Sequence, residues 1–413
     1  VTAFPSLRLR ARALASYRAP LAVVAVAVLL RAFFDDVTTF SRADETQYLL
    51  LTQRLAKRGF VSEYASIVRE HLADVAAWDF PSPFRVGHFA LTTLACHVAR
   101  ACTFDALTGL STVAGVAAVG FAWLLGDALL GAWPATVGGA LVALSPLQLA
   151  LSRRALQDEE MCALALAALF TWVKLLRASP ARPRVELGWA CATCVIVALG
   201  LSIKASLVSY APGFAALWLL HAHRRGLRRF DLVPLVAPVL YWAAFSWLNR
   251  DAHVFFTMLR VEASALHQTY AVQYQSGAPH RYLVDLVALC PVSTLGALGA
   301  LALLVAEPAR DDTRGARQLA WLFGVTLATL SLAWAKTARF GVGLDALACL
   351  LCGWFVVRVC ERASPASAWR WASGAIALAA CVDLAIVERV FVTRAVYDPT
   401  TDGVLRALDM LPR

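Results

Sequence analysis

Long apolar runs alternate with short polar junctions along almost the whole chain, and the charged residues flank the runs. A run of about 20 apolar residues crosses a bilayer as one helix. On that measure the first span is predicted at Pro20–Phe34, with further spans at roughly 106–126, 134–152, 159–177, 186–203, 205–221, 231–248, 282–305, 317–335, 340–358 and 371–390. A long polar stretch, 35–105, separates the first two and carries Asp44, Glu45, Glu63, Glu70, Asp74 and Asp79. Within it Gly87–Ala101 is apolar, but it is short and broken by His88 and His97. It reads as an interfacial or re-entrant helix. The expected fold is all-α, a polytopic bundle of about eleven spans in a single unit over 1–391. That unit includes a first extracytoplasmic loop at 35–105 and a later one at 249–281; a short extracytoplasmic tail follows at 392–413.

Composition agrees with this pattern and excludes most alternatives. Of 413 residues 60% are hydrophobic and 16% charged, against about 45–50% and 25% in soluble domains. A soluble enzyme, a disordered chain and a small disulfide scaffold are all ruled out. The net charge of +10 does not point to nucleic acid, because the basic residues sit at the ends of apolar runs. Four basic clusters fall on alternate junctions: Arg177/Arg182/Arg184, Arg224/Arg225/Arg228/Arg229, Arg310/Arg314/Arg317 and Arg358/Arg362/Arg370. Basic junctions stay in the cytoplasm. With Arg8, Arg10, Arg12 and Arg18 ahead of the first run, this sets the N-terminus inside and the C-terminus outside. The first run ends in charge without a small-residue cleavage site, so it is expected to remain as an uncleaved span. The ten cysteines lie mostly inside apolar runs, where packing is the expected role.

This topology brings five polar places to the outer face. They are Asp44-Glu45, Pro81-Ser-Pro-Phe-Arg85, the segment from Ser152 through Arg153, Arg154 and Asp158 to Glu160, Lys204, and Lys336-Thr-Ala-Arg339-Phe340. Charges at such a depth are costly unless paired or wet. Acids and bases at one level suggest a site that handles an anion and a proton. Each also has a plain structural reading: a surface helix for Asp44-Glu45, a helix cap for Asp158, lipid headgroups for Arg153-Arg154, snorkelling for Lys204 and Arg339. Glu159 and Glu160 suit the N-terminus of the next span. His88 and His97 are not read as ligands.

Ala43-Asp44-Glu45-Thr-Gln-Tyr48 resembles the Asp-Glu-x-x-Tyr element in the first outer loop of the GT-C membrane glycosyltransferases. These include the polyprenyl-phosphate-mannose:protein mannosyltransferases and the lipid A aminoarabinose transferases. Ser145-Pro146 followed by Ser152-Arg153-Arg154-Ala155-Leu156-Gln157-Asp158, then Gly200-Leu-Ser-Ile-Lys204, then Arg339-Phe340, are similar to further elements of that family in the same order. The resemblance covers about residues 20–360. There are departures: Pro81-Ser-Pro-Phe-Arg85 stands where the family has Lys-Pro-Pro-Leu, and Phe340 stands in place of Tyr. The family's large first outer loop, which carries juxtamembrane helices, supports the reading of Gly87–Ala101.

The resemblance implies transfer of a hexosyl or pentosyl group from a polyprenyl-phosphate donor to a lipid, glycan or protein acceptor outside the cytoplasm. The expected setting is a bacterial-type inner membrane, with membrane lipids and no nucleic acid as partners. Asp44 is the expected base, with Glu45 and Asp158 as further carboxylates of the catalytic set. Lys204, Arg339, Arg85 and Arg154 are expected to hold the donor phosphate. Tyr48, Tyr270 and Tyr274 are expected to meet acceptor or lipid. No cofactor is implied. A divalent metal is left open, although the chain has no DxD, no HExxH and no Cys/His cluster. Rival readings are a transporter or flippase of a lipid-linked sugar, which needs charge along a midplane path, a non-catalytic assembly protein, and a lipid-phosphate polymer ligase.

Overall fold

The computed structural model describes residues 7–34, 44–75, 82–265, 277–333, 336–396 and 401–411. Among these there is no strand. The chain opens with α1 (Leu7–Phe33), followed by α2 (Asp44–Arg58), α3 (Phe60–Ala73) and α4 (Val86–Ala99). Then come α5 (Phe104–Leu130), α6 (Ala132–Leu144), α7 (Pro146–Leu151), α8 (Asp158–Arg177) and α9 (Pro183–Ile203). A 3-10 turn leads into α10 (Ala211–Arg225), and another into α11 (Ala237–Asn249). The second half holds α12 (His253–Ala265), α13 (Arg281–Leu289), α14 (Pro291–Ala306), α15 (Arg314–Leu332), α16 (Val342–Ala363), α17 (Ala368–Ile386) and α18 (Thr401–Ala407). Among the described residues five helical stretches are long and apolar enough to cross a membrane: Phe104–Leu130, Pro183–Ile203, Ala205–His223, Arg229–Asn249 and Ala338–Ala363. The protein is a multi-pass membrane protein.

α16 is the central post. Residues Val342 through Gly353 are buried without a break, as expected of a helix apolar all round. It packs between α6 and α14, while α5 lies against α6 and α8. Small residues permit this closeness. A Cβ on Gly353 would stand 2.5 Å from the backbone nitrogen of Gly138 on α6.

Two predicted spans are broken rather than continuous. The stretch 134–152 divides at Ser145-Pro146, and 282–305 divides at Cys290-Pro291. Proline has no N–H to give the preceding turn, and it pushes the residue before it out of the helical region. Ser145 (ψ 127°) and Cys290 (ψ 57°) show that displacement. The predicted outer loop 249–281 contains the helix α12. The predicted tail from 392 folds back through α18, where Thr401 Oγ1 donates to Asp285 on α13 at 2.6 Å. One cysteine pair departs from the packing reading: Cys96 and Cys102 form a disulfide that closes the turn from α4 to α5.

The junctions predicted to share the basic face bond to one another. Arg177 donates to Gln318 at 3.1 Å and Arg228 to the carbonyl of Ala178 at 2.6 Å. Arg358 pairs with Glu307 at 3.3 Å and with Asp312 at 2.9 Å. The candidate functional residues gather at helix ends away from these junctions. Single cysteines introduced at the exposed positions Ala181 and Ser62 are therefore expected to react with a membrane-impermeant maleimide from opposite sides of the membrane; labelling of both from one side would contradict the arrangement.

Candidate active site

Three helix boundaries meet at the site. α9 stops at Ile203 because Lys204 is extended (φ −154°, ψ 120°). α8 begins at Asp158, and a 3-10 turn over Ala338–Gly341 leads into α16. The Lys204 ammonium donates to Asp158 Oδ1, and both side chains are buried. Lys204 Nζ also lies 4.4 Å from the centre of the Phe340 ring, a cation–π contact. Burial pushes the Lys204 ammonium down to about 8, against the opposite pull of Asp158. The fields of Arg339 and Arg85 reach the same pair. One buried carboxylate thus lies in the field of three cations.

α2 brings the other acids. Asp44, on its first turn, lies 3.6 Å from Arg339 Nη1, and its side chain is 39% exposed. That partial exposure leaves it reachable by an incoming group. Glu45, the next residue, is buried and accepts a hydrogen bond from the backbone N–H of Ala155 at 3.0 Å. It therefore ties α2 to the loop before α8. Tyr48, one turn below Asp44, is fully buried. α4 covers it, with His88 and Phe89 packed on its ring at 4.7 and 5.8 Å.

Arg85 is the residue before α4, and its guanidinium lies 5.7 Å from the centre of the Tyr48 ring. Its turn is held from two sides. Tyr64 donates to the carbonyl of Pro83, and Tyr241 donates to that of Phe84 at 2.5 Å. α4 crosses the end of α9 at Gly87, where any Cβ would stand 2.2 Å from Ser202 Oγ. A glycine is required there to let the two helices close on Lys204. On the α2–α3 side Arg54 bonds both Glu63 and Glu70. The Arg54 hydrogen bond lowers the Glu70 carboxyl to about 2. That clasp contributes its full stability above the ordinary value of 4.5 and loses it as pH falls through about 2.

Arg154 is fully buried, and its Nη2 donates to the carbonyl of Val396 at 3.4 Å. Arg153 donates to Thr112 at 3.1 Å. Tyr270 and Tyr274 lie outside the described residues.

Three sets of charged groups escaped the sequence reading. Glu159 and Glu160 sit on the first turn of α8 as expected, yet both are buried. Glu160 binds His88 Nδ1 at 3.0 Å. Arg31, placed at the end of the first span, is 1% exposed and its field reaches Glu159. Asp345, on the buried post α16, accepts hydrogen bonds from Ser145 at 2.7 Å, Ser293 at 3.4 Å and Gln148 at 3.4 Å. A lone carboxylate inside an apolar run is itself a signal, and Asp345 could have been found by it.

An arrangement of this kind can stabilise an anion and take up a proton at one spot. Among the described residues no group of three or more His, Cys, Asp or Glu side chains is placed to hold a metal ion. The two carboxylates nearest the cations, Asp44 and Asp158, are each matched by a fixed Arg or Lys. That donor set does not fit a divalent ion.

No protein-family model matches the chain, and no curated protein matches it in sequence. Solved structures do. ArnT from Cupriavidus metallidurans in the apo state is 18% identical over 94% of this chain and 68% of its own, with a TM-score of 0.59. ArnT from Cupriavidus metallidurans bound to undecaprenyl phosphate is 16% identical over 94% and 74%, with a TM-score of 0.57. The Archaeoglobus fulgidus oligosaccharyltransferase in the apo form is 12% identical over 94% of this chain and 56% of its own, with a TM-score of 0.57. The chain thus spans just over half the length of that oligosaccharyltransferase. At these identities the likeness is one of fold.

Removing one member of a buried ion pair strands the other. Asp158→Leu should therefore destabilise the protein by about 3–5 kcal/mol, read as a lowered melting temperature in detergent. The double variant Asp158→Leu/Lys204→Met should recover most of that loss; equal melting of all three proteins would show that the pair carries no such load.

Proposed function

From a chain with the fold of the GT-C membrane glycosyltransferases, we propose an enzyme that moves a hexosyl or pentosyl group from a polyprenyl-phosphate donor to an acceptor at the extracytoplasmic face of a bacterial-type inner membrane. The observation that carries the reading is the meeting of an accessible carboxylate, Asp44, with the cations Arg339, Lys204 and Arg85 around buried Asp158. The bound ligand in one ArnT structure, undecaprenyl phosphate, is a donor carrier of the kind such a site would take.

In this reading the phosphate is both anchor and leaving group. Arg339 offers it a planar fork of donors and Lys204 a point charge. Positive groups already fixed in place favour the charge that develops as the sugar–phosphate bond breaks. Asp158 holds Lys204 in position. Asp44 accepts the proton of the acceptor hydroxyl as its oxygen attacks the anomeric carbon. A single displacement of this kind inverts the configuration. Glu45 sets the α2 turn that carries Asp44. Arg154 braces the loop before α8, which places Asp158.

A cavity of about 500 Å³ runs between α8, α9, α10 and the turn before α11, lined by Trp172, Val197, Leu201, Leu207, Phe214 and Trp218. Leu201 and Leu207 stand three residues on either side of Lys204. The apolar lining suits part of a prenyl tail. With the arginine-rich junctions inside, the N-terminus is cytoplasmic and the site faces outward.

Asp44→Asn is expected to reduce transfer by about 10²–10⁴-fold with carrier binding retained, measured with purified protein, labelled lipid-phosphate sugars and a membrane extract as acceptor. Full activity in that variant would remove the base role. Lys204→Ala and Arg339→Ala should each weaken undecaprenyl phosphate binding by about 10–100-fold, the loss of one charge-assisted hydrogen bond. Unchanged affinity in both would mean that neither reads the phosphate.

A further inference from the structure

Directly beneath Asp44, two buried polar atoms have no partner. Tyr48 Oη and His88 Nε2 are enclosed, and neither makes a hydrogen bond among the described residues. Their residues are 0% and 1% exposed, and their rings meet edge to face at 4.7 Å. Buried polar groups are usually satisfied, and among the buried side-chain atoms without a partner these two lie on rings in direct contact. The histidine is not loosely held. Glu160 takes its Nδ1 at 3.0 and 3.1 Å, and Glu160 itself is buried. A carboxylate on Nδ1 puts the proton there and, in the neutral ring, leaves Nε2 as an acceptor with a defined direction. Tyr48 adds a donor that is also an acceptor. Together they match one hydroxyl group, which would donate to Nε2 and accept from Oη.

We propose that Tyr48 and His88, the latter oriented by Glu160, form a subsite for a hydroxyl of the carrier-linked sugar. The proposal rests on the donor reading above. Placement favours the sugar over the acceptor. Arg85 lies over the Tyr48 ring, and its field also reaches Asp158 and Lys204, so the subsite borders the phosphate cluster. Tyr48 lies one helical turn from Asp44, about 6 Å along α2, on the closed side of that residue. Asp44 itself is partly exposed, on the side from which an acceptor can approach. Glu160 is a positioning residue, acting only through His88.

The test uses the full-length protein in lipid nanodiscs. The probes are bare undecaprenyl phosphate and undecaprenyl phosphates carrying a hexose, a pentose or an N-acetylhexosamine. Wild-type protein should bind at least one sugar-bearing carrier more tightly than the bare one. In Tyr48→Phe and His88→Gln that advantage should fall about tenfold, the loss of one hydrogen bond from a buried group, while affinity for the bare carrier stays the same. Glu160→Gln, which keeps an acceptor for Nδ1–H, should retain most of the advantage. Tyr48→Phe removes only an unpartnered hydroxyl, so its melting temperature should not drop, and it keeps the test decisive if His88→Gln folds poorly. If sugar-bearing carriers bind wild type no better than the bare carrier, or if the advantage survives in Tyr48→Phe, the subsite is refuted and the phosphate reading stands. If no carrier binds at all, both fall.

Discussion

The buried ion pair between Lys204 and Asp158 is the constraint around which this end of the molecule is built. Two opposite charges removed from water are tolerable only when geometry is good and the remaining donors and acceptors find partners. That requirement explains why α9 stops where it does, why α8 starts within reach of it, and why Phe340 lies under the ammonium. It also explains the company. Lys204, Arg339 and Arg85 all act on this one buried carboxylate, and Arg339 also pairs with Asp44.

Around this pair the chain divides its carboxylates by exposure. Asp158, Glu45 and Glu160 are buried, and each has a fixed partner: an ammonium, a backbone N–H and an imidazole. Asp44 is the partly open one. Buried carboxylates with good partners set geometry; an accessible one can exchange a proton with something that comes and goes. The split follows from α2 itself. Its first turn emerges at the edge of the bundle, so that successive residues face outward, toward the loop before α8 and toward α4.

Rigidity comes from features that are individually modest. Prolines break α6 from α7 and α13 from α14, and glycines let α4 meet α9 and α6 meet α16 at backbone distance. Tyr64 and Tyr241 hold the turn that presents Arg85. The polar end of the bundle therefore rests on packed helices, which suits a site whose donors must be in place beforehand.

Most of the architecture was legible in the sequence because a span in lipid has a length and a composition that no soluble element shares. The apolar runs marked out the helices, and Asp44, Lys204 and Arg339 stood out as charges at run ends. The breaks at Ser145-Pro146 and Cys290-Pro291 were missed because the apolar runs continue through them. The pairing of Glu160 with His88, the burial of Tyr48 and the nearness of Arg31 to Glu159 were not readable at all. Hydropathy records how far along a run a residue lies, but not which neighbour it faces. Partner choice depends on helix rotation and crossing, and those are set by side chains packing between elements far apart in the chain.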